Sequence, residues 1–390
     1  MKTAKKGLCL FLALVLCLGL FAACSGSDGG SSYIGGNGGD DTPPRSGGML
    51  AGIDAKELMI EMDGTPILWE EVFYDLQSVR RMLEGQSPVE DWDDIFRDQT
   101  FFPGEVTFNE FAVLFAIDAA IGRRAMEVLF TDKLGERLED GLYEEVRQEI
   151  MFGQNLDEDT FHLFLESYSL TEDVFRYFNE SMAMHARAME IIAGVEGERV
   201  SDESVAVFVE TEEILRAKHI LVSVLDENRD PLSEAEQAAA NTRAYALFEE
   251  LDTLSGDEQT ARFEEMLAAY GEDPGMEANP EGYTFAPGAM VVEFTEGTMA
   301  LGLHEIGPPV RSNFGYHIIF RLPVERTAIL AMPGSGQPAP IQLLAAGAEL
   351  ERRLEEIRED LHYTIMPRLD TIVPSEIFAL AELAAFGPAD

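Results

Sequence analysis

The chain has 390 residues, more than one hydrophobic core usually organises, so several domains are expected. Hydrophobic residues make up 46% and charged residues 26%, a composition that folds. With 72 acidic against 28 basic residues the net charge is −44, and no basic patch reverses the sign, which excludes nucleic acid as a partner.

Residues 1–23 carry Lys2, Lys5 and Lys6, then an uncharged apolar run, then small residues, the pattern of a signal peptide for export. The run is too short for a stable membrane span. Its end, Phe21-Ala22-Ala23-Cys24, resembles the lipobox of bacterial lipoproteins, where cleavage leaves the cysteine as a lipid-bearing N-terminus. That resemblance implies lipidation at Cys24 and an extracytoplasmic protein anchored to the cell membrane. Cys9 and Cys17 leave with the signal, so the mature chain has no disulfide framework. Residues 24–50 are rich in glycine and serine and are expected to form a flexible tether with a reach of about 25–30 Å.

Residues 51–211 read as a helical domain. LMIEMDGTPIL alternates Leu58, Ile60 and Met62 up to the turn signal Asp63-Gly64, then enters a helix with Val72, Leu76, Val79 and Leu83 on one face. From Thr107 to Gly194 amphipathic helices are joined by polar breaks. Examples are the runs Leu138, Leu142, Val146, Ile150 and Phe178, Met182, His185, Met189. Methionine stripes at this spacing are core material, and can also line a promiscuous apolar groove. His162, His185 and His362 lack a second ligand type at coordinating spacing, so no metal is assigned. YIGGNGG lacks the lysine of a phosphate loop, and no nucleophile motif supports Ser/His/Asp chemistry.

At Ile214 the register changes. RAKHILVSVL reads as a strand, and Ser233-Glu234-Ala235-Glu236 is a capping box opening a helix with Ala240, Ala244, Leu247 and Leu251 on one face. A second helix holds Phe263, Met266 and Tyr270. GEDPGMEANPEGYTFAPGAM reads as a loop, VVEFTEGTMAL as a short helix, and PPVRSNFGYHIIFRL ends in a strand. Residues 212–324 are thus expected to form an α+β unit. In residues 325–390 a long helix with Leu350, Leu354, Ile357 and Leu361 has no partner in its own segment and is expected to pack on the N-terminal helices. The fold class is multidomain: a mainly α domain made from both ends of the chain, with an inserted α+β domain.

On the first strand His219 shares a face with Leu221, while Ile220 and Val222 point the other way. FGYHIIF places His317 in the same setting, so the two rings can meet if these strands are neighbours. Spacing alone leaves two structural histidines as the simpler reading, Asp273 as a solvated turn residue, and Met290 and Phe294 as core.

The ordered segments RAKHILV, FEEMLAAYGED, GYTFAPGAMVVEF, ALGLHEIGPPV and SNFGYHII, from Arg216 to Leu322, resemble a parvulin-type peptidyl-prolyl cis-trans isomerase domain. The full layout is similar to the PrsA-type foldase lipoproteins and, more distantly, to the SurA chaperones. The resemblance implies that His219 and His317 are paired core histidines, that Asp273 and Ser312 complete their polar network, and that Met290 and Phe294 receive the proline ring. The chain departs from the family's pattern at Gly271, where serine is common before the aspartate, at His304, where a turn glycine is usual, and at Glu281.

Those residue types suit the reaction. An X-Pro amide rotates over a barrier of about 20 kcal/mol because its C–N bond must lose double-bond character. No covalent intermediate or cofactor is needed, only a site that binds the twisted amide better than the planar one. The implied partners are unfolded or partly folded exported proteins with X-Pro bonds. The competing reading is a non-enzymatic holdase whose insert only binds. Glu272, Asp273, Glu277, Glu281, Glu293 and Glu296 read either as a solvated surface or as an attraction for cationic client segments. The sequence leaves the oligomeric state open.

Overall fold

A computed structural model describes residues 49–85, 89–97, 105–168, 170–330 and 338–386. The signal peptide and Cys24 lie outside them, as does the tether up to residue 48. Of the described residues, those up to Ile191 and from Leu350 onward form one compact unit, and Ile192–Glu349 form a second.

The first unit opens where a tether was expected to end: Met49–Leu50 pairs with Ile53–Asp54, and the Trp69 indole donates to the Leu50 carbonyl at 2.9 Å. Strands β1 (Leu58–Met62) and β2 (Thr65–Leu68) form a hairpin closed on Asp63-Gly64. Both turn residues have positive φ, 47° and 82°, the left-handed pair that a two-residue hairpin loop needs. Helix α1 (Trp69–Glu84) buries Val72, Leu76 and Val79 as its periodicity requires. Helix α2 (Phe108–Val128) is capped by Thr107, whose hydroxyl accepts from the Glu110 amide while Glu110 accepts from the Thr107 amide. Its small buried face, Ala112, Ala116, Ala119 and Ala120, shares one core with Trp69, Phe73 and Phe111. Helices α3 (Leu142–Gly153), α4 (Glu158–Ser167) and α5 (Glu172–Ala193) follow. The run read from Leu138 becomes helical only at Leu142, because Gly141 stands at φ 94°.

The second unit begins earlier than residue 212. Helix α6 (Asp202–Thr211) buries Val205 and Phe208 and feeds directly into strand β3 (Leu215–Ser223). Arg326 ties the far end of the unit to it through Asp202 and the carbonyls of Gly197 and Val200. After β3 come α7 (Glu234–Asp252), with its Ser233–Glu236 capping box, and α8 (Gly256–Tyr270). The stretch read as a loop holds two elements, the short helix α9 (Pro274–Ala278) and strand β4 (Tyr283–Phe285). Pro274 at the first helical position and Asp273 as its cap start α9, and β4 is held by pairing with residues 215–217. Helix α10 (Val292–Met299) and strands β5 (Val310–Arg311) and β6 (Gly315–Leu322) complete an antiparallel sheet of order β4-β3-β6-β5.

The sheet has two unlike faces. Ile220, Ile318 and Phe320 pack with Leu251, Phe263 and Met266 of α7 and α8. Leu215, Ala217 and Ile319 pack on the other side with Phe285, Phe294 of α10 and Leu301. His304 takes φ 63°, the left-handed region that favours glycine, which is the conformation its place in the parvulin pattern implies. Gly315 is needed for a different reason: a Cβ there would lie 2.2 Å from the Val222 carbonyl oxygen across the β3–β6 pair.

The chain then returns to the first unit. From residue 350 helix α11 (Ile341–Asp360) lies in that unit, strand β7 (Tyr363–Ile365) pairs with β1, and α12 (Pro374–Phe386) adds Ile377 and Phe378 to the Trp69 core. No described helix is long and apolar enough to cross a membrane.

Candidate active site

The register of β3 and β6 decides whether the two imidazoles meet. Ile319 is opposite His219 and His317 is opposite Leu221, so the histidines are diagonal neighbours on the α10 face. Both are 4% exposed. Their rings stack with centroids 5.0 Å apart, and Nδ1 of His317 lies 2.9 Å from Nδ1 of His219.

The outer ends of the pair are held by two turns. On one side the Glu272 amide donates to the Leu221 carbonyl, and Glu272 accepts from the Ser223 amide, pinning the α8–α9 junction along β3. This brings Asp273 Oδ2 to 2.7 Å from His219 Nε2. On the other side Ser312 caps the tight β5–β6 turn, its hydroxyl accepting from the Phe314 amide and lying 2.6 Å from His317 Nε2. The four polar residues expected from the sequence therefore form one unbroken row.

Electrostatics give the row a direction. Burial opposes ionisation of Asp273, but hydrogen bonds from His219, Tyr283 and the Gly275 amide outweigh it and hold the carboxyl at about 2. Burial, followed by the nearby His219 and Arg311, pushes His317 down to about 3 against a smaller pull from Asp273. At neutral pH Asp273 is thus a carboxylate and His317 a neutral ring. His219 Nε2–H donates to Asp273, so its Nδ1 accepts from the Nδ1–H of His317, whose Nε2 accepts from Ser312. Each member fixes the tautomer of the next. Such a row has no proton to spare, and presents a rigid set of dipoles to a bound amide.

Phe294 is brought to the same place, with its ring edge-on to His219 at 5.0 Å and to His317 at 5.5 Å. It is 3% exposed, so it floors the histidine pair rather than walling an open pocket. Met290 is half-buried and packs in the same apolar cluster. A cleft of about 660 Å³ lies elsewhere in this unit, lined by Val205 and Val209 of α6, Leu215, Leu303 and Leu322, and by none of the expected site residues.

Tyr283 was not anticipated. Its hydroxyl donates to Asp273 Oδ2 at 2.8 Å, and burial together with Asp273 pushes its pKa above the usual range, so it stays a donor. The signal was present in Tyr-Thr-Phe, a strand-favouring triplet, but Pro280, Gly282 and Pro287 around it read as loop.

Residues 219–321 match the family described as "Rotamase: PPIC-type PPIASE domain". The chain is 29% identical over 184 residues to the foldase protein PrsA of Halalkalibacterium halodurans, covering 45% of this chain and 49% of that one. It is 24% identical over 216 residues to the PrsA of Geobacillus kaustophilus, covering 52% and 72% respectively. A crystal structure of PrsA from Bacillus anthracis aligns over 70% of this chain and 99% of its own, at 18% identity and a TM-score of 0.22, too loose an overall superposition to argue from. The match thus spans about half the length of the first of these relatives. Residues 219–321 are a parvulin-type, PPIC-type PPIASE domain within a PrsA-like chain.

Proposed function

We propose that this protein is an extracytoplasmic foldase that catalyses cis-trans isomerisation of X-Pro bonds in unfolded or partly folded exported proteins. The observation that carries the reading is the unbroken row from Ser312 through His317 and His219 to Asp273, lying within the matched domain. In this reading the half-buried Met290 meets the proline ring and the buried Phe294 backs that contact from within, the row stabilises the twisted amide's altered charge distribution, and the histidines position rather than transfer protons. Neither metal nor cofactor has a part in it. The reading extends to a lipid at Cys24, the membrane anchor, and to a helical client-holding domain made from both ends of the chain around the isomerase insert.

The test is the relaxation of a short Ala-Pro reporter peptide from cis to trans in the presence of the full chain. Acceleration that disappears in an Asp273→Ala, His219→Ala double variant is expected. The burial of Phe294 favours a second reading, a holdase whose domain binds without turnover. Suppressed aggregation of an unfolded client with no gain in relaxation rate selects the holdase. Fatty-acid labelling lost in Cys24→Ser tests the anchor, and labelling that persists in that variant rejects it.

A further inference from the structure

We infer that Tyr283 is a positioning residue for the isomerase site, holding Asp273 so that His219 keeps its Nε2–H tautomer, and that Gly275 is the residue that admits it. The inference rests on the isomerase reading of the site. Asp273 is fixed by three donors: the Gly275 amide on Oδ1 at 3.0 Å, and both Tyr283 and His219 on Oδ2, at 2.8 and 2.7 Å. Two donors on one oxygen share its charge. Tyr283 comes from β4, across the sheet edge from α9, and its ring lies 6.0 Å from that of His219. Gly275 makes this approach possible, because a Cβ on it would lie 1.8 Å from the Tyr283 hydroxyl. Gly275 is not in the left-handed region, so alanine there fits the backbone, and its Cβ, which would also lie 3.0 Å from the ring carbon bearing the Tyr283 hydroxyl and 3.2 Å from Asp273 Oδ1, displaces the hydroxyl and crowds the carboxylate.

Without the Tyr283 hydroxyl the charge on Oδ2 falls on His219 alone, which favours the cationic form of the imidazole pair. A proton on His219 Nδ1 makes His317 Nδ1 an acceptor and puts a hydrogen on His317 Nε2. The Ser312 hydroxyl, already accepting from Phe314, then has to turn its own proton away, and the row reverses. The groups facing the pair are Asp273 at the head of α9, Tyr283 on β4, the uncharged ring of Phe294 on α10, Ser312 beyond β5, and Arg311 on β5. Glu272 beside Asp273 is engaged by the Ser223 amide and by Arg243.

The experiment compares the full chain with Tyr283→Phe, Gly275→Ala and the double variant. It measures kcat and KM on the Ala-Pro reporter peptide across acid to neutral pH, and imidazole 15N shifts by NMR. The expected result is an acid limb of kcat moved up by about 0.5–1 pH unit in each single variant, with KM changed by less than about twofold. The double variant should move no further than Gly275→Ala alone, which already displaces the Tyr283 hydroxyl. Profiles and 15N shifts of Tyr283→Phe superimposable on those of the unaltered protein overturn the inference. If the unaltered protein shows no isomerase activity, the functional reading fails and the 15N shifts alone decide the role of Tyr283: an imidazole pair that takes up its proton at higher pH in Tyr283→Phe upholds it, and unchanged shifts overturn it.

Discussion

Both units bury a carboxylate beside a nitrogen base, and the two arrangements do opposite things. Asp75 of α1 is 4% exposed and takes two bonds from Arg123 of α2, at 3.0 and 2.6 Å, with the guanidinium 4.4 Å over the Phe178 ring. A permanent cation faces an anion inside packed helices, and the pair closes on itself. Asp273 instead has a side chain 20% exposed, an imidazole for a partner, and a row of donors that runs in one direction to Ser312. The difference teaches that buried charge by itself marks packing. A site is marked by an acid at the surface end of a row whose tautomers are all determined.

The largest expected effect breaks the closed pair. Arg123→Ala leaves Asp75 buried without its cation and is expected to cost about 3–5 kcal/mol in urea unfolding of the first unit. Isomerisation of the short reporter peptide by the second unit should survive at zero denaturant. A cost below about 1 kcal/mol would show that the pair is solvated and that the contrast is mistaken. Next is Asp273→Asn, which keeps the shape and removes the charge. Charge-assisted hydrogen bonds contribute about 1.5–3 kcal/mol, so kcat/KM should fall roughly 10- to 100-fold, and the stability of the second unit should fall by a similar free energy. Full activity in this variant would remove the carboxylate from the mechanism.

The sequence disclosed these regions unequally. The hairpin at Asp63-Gly64, the Ser233 capping box and the alternation around His219 and His317 are local signals, because each depends on turn chemistry or on a two-residue period. The meeting of the two rings was legible only as a condition, since it depends on which residues of β3 and β6 face each other. Asp273 became a candidate site residue through the parvulin resemblance. Its physical cause is a backbone bond from Glu272 to the edge of β3, and no periodicity carries that contact. Tyr283 stayed hidden because a three-residue strand held by pairing has too few residues to outweigh the proline and glycine beside it. The ends of the second unit at residues 192 and 349 were illegible for a related reason: Arg326 reaches back to Asp202 over more than a hundred positions.

Acid should weigh on the second unit by a smaller margin. A neutral buried His317 with a folded pKa of about 3, against about 6.5 unfolded, takes up its proton more readily once unfolded. Its contribution is therefore fully present above about pH 6.5 and is lost as pH falls toward 3, and Asp273 adds a loss of the same sign only below its unfolded value of about 3.9. Between about pH 7 and pH 5 the second unit should lose up to about 2 kcal/mol, read from urea midpoints. Replacing His317 with glutamine should flatten this dependence. An equal slope in the variant would place the titrating group elsewhere.

The smallest effect tests the direction of the row. Ser312→Ala removes the donor to His317 Nε2 but leaves the His317–His219–Asp273 contacts in place. The ring nitrogen is left without its partner in a 4% exposed residue, at a cost of about 1 kcal/mol, so kcat should fall roughly fivefold, and Ser312→Thr should restore most of it. Since Asp273 sets the tautomers from its own end, a loss at Ser312 must be smaller than a loss at Asp273. Equal losses at the two ends would mean that neither end sets the other, and that the row is a closed pair of the Asp75–Arg123 kind.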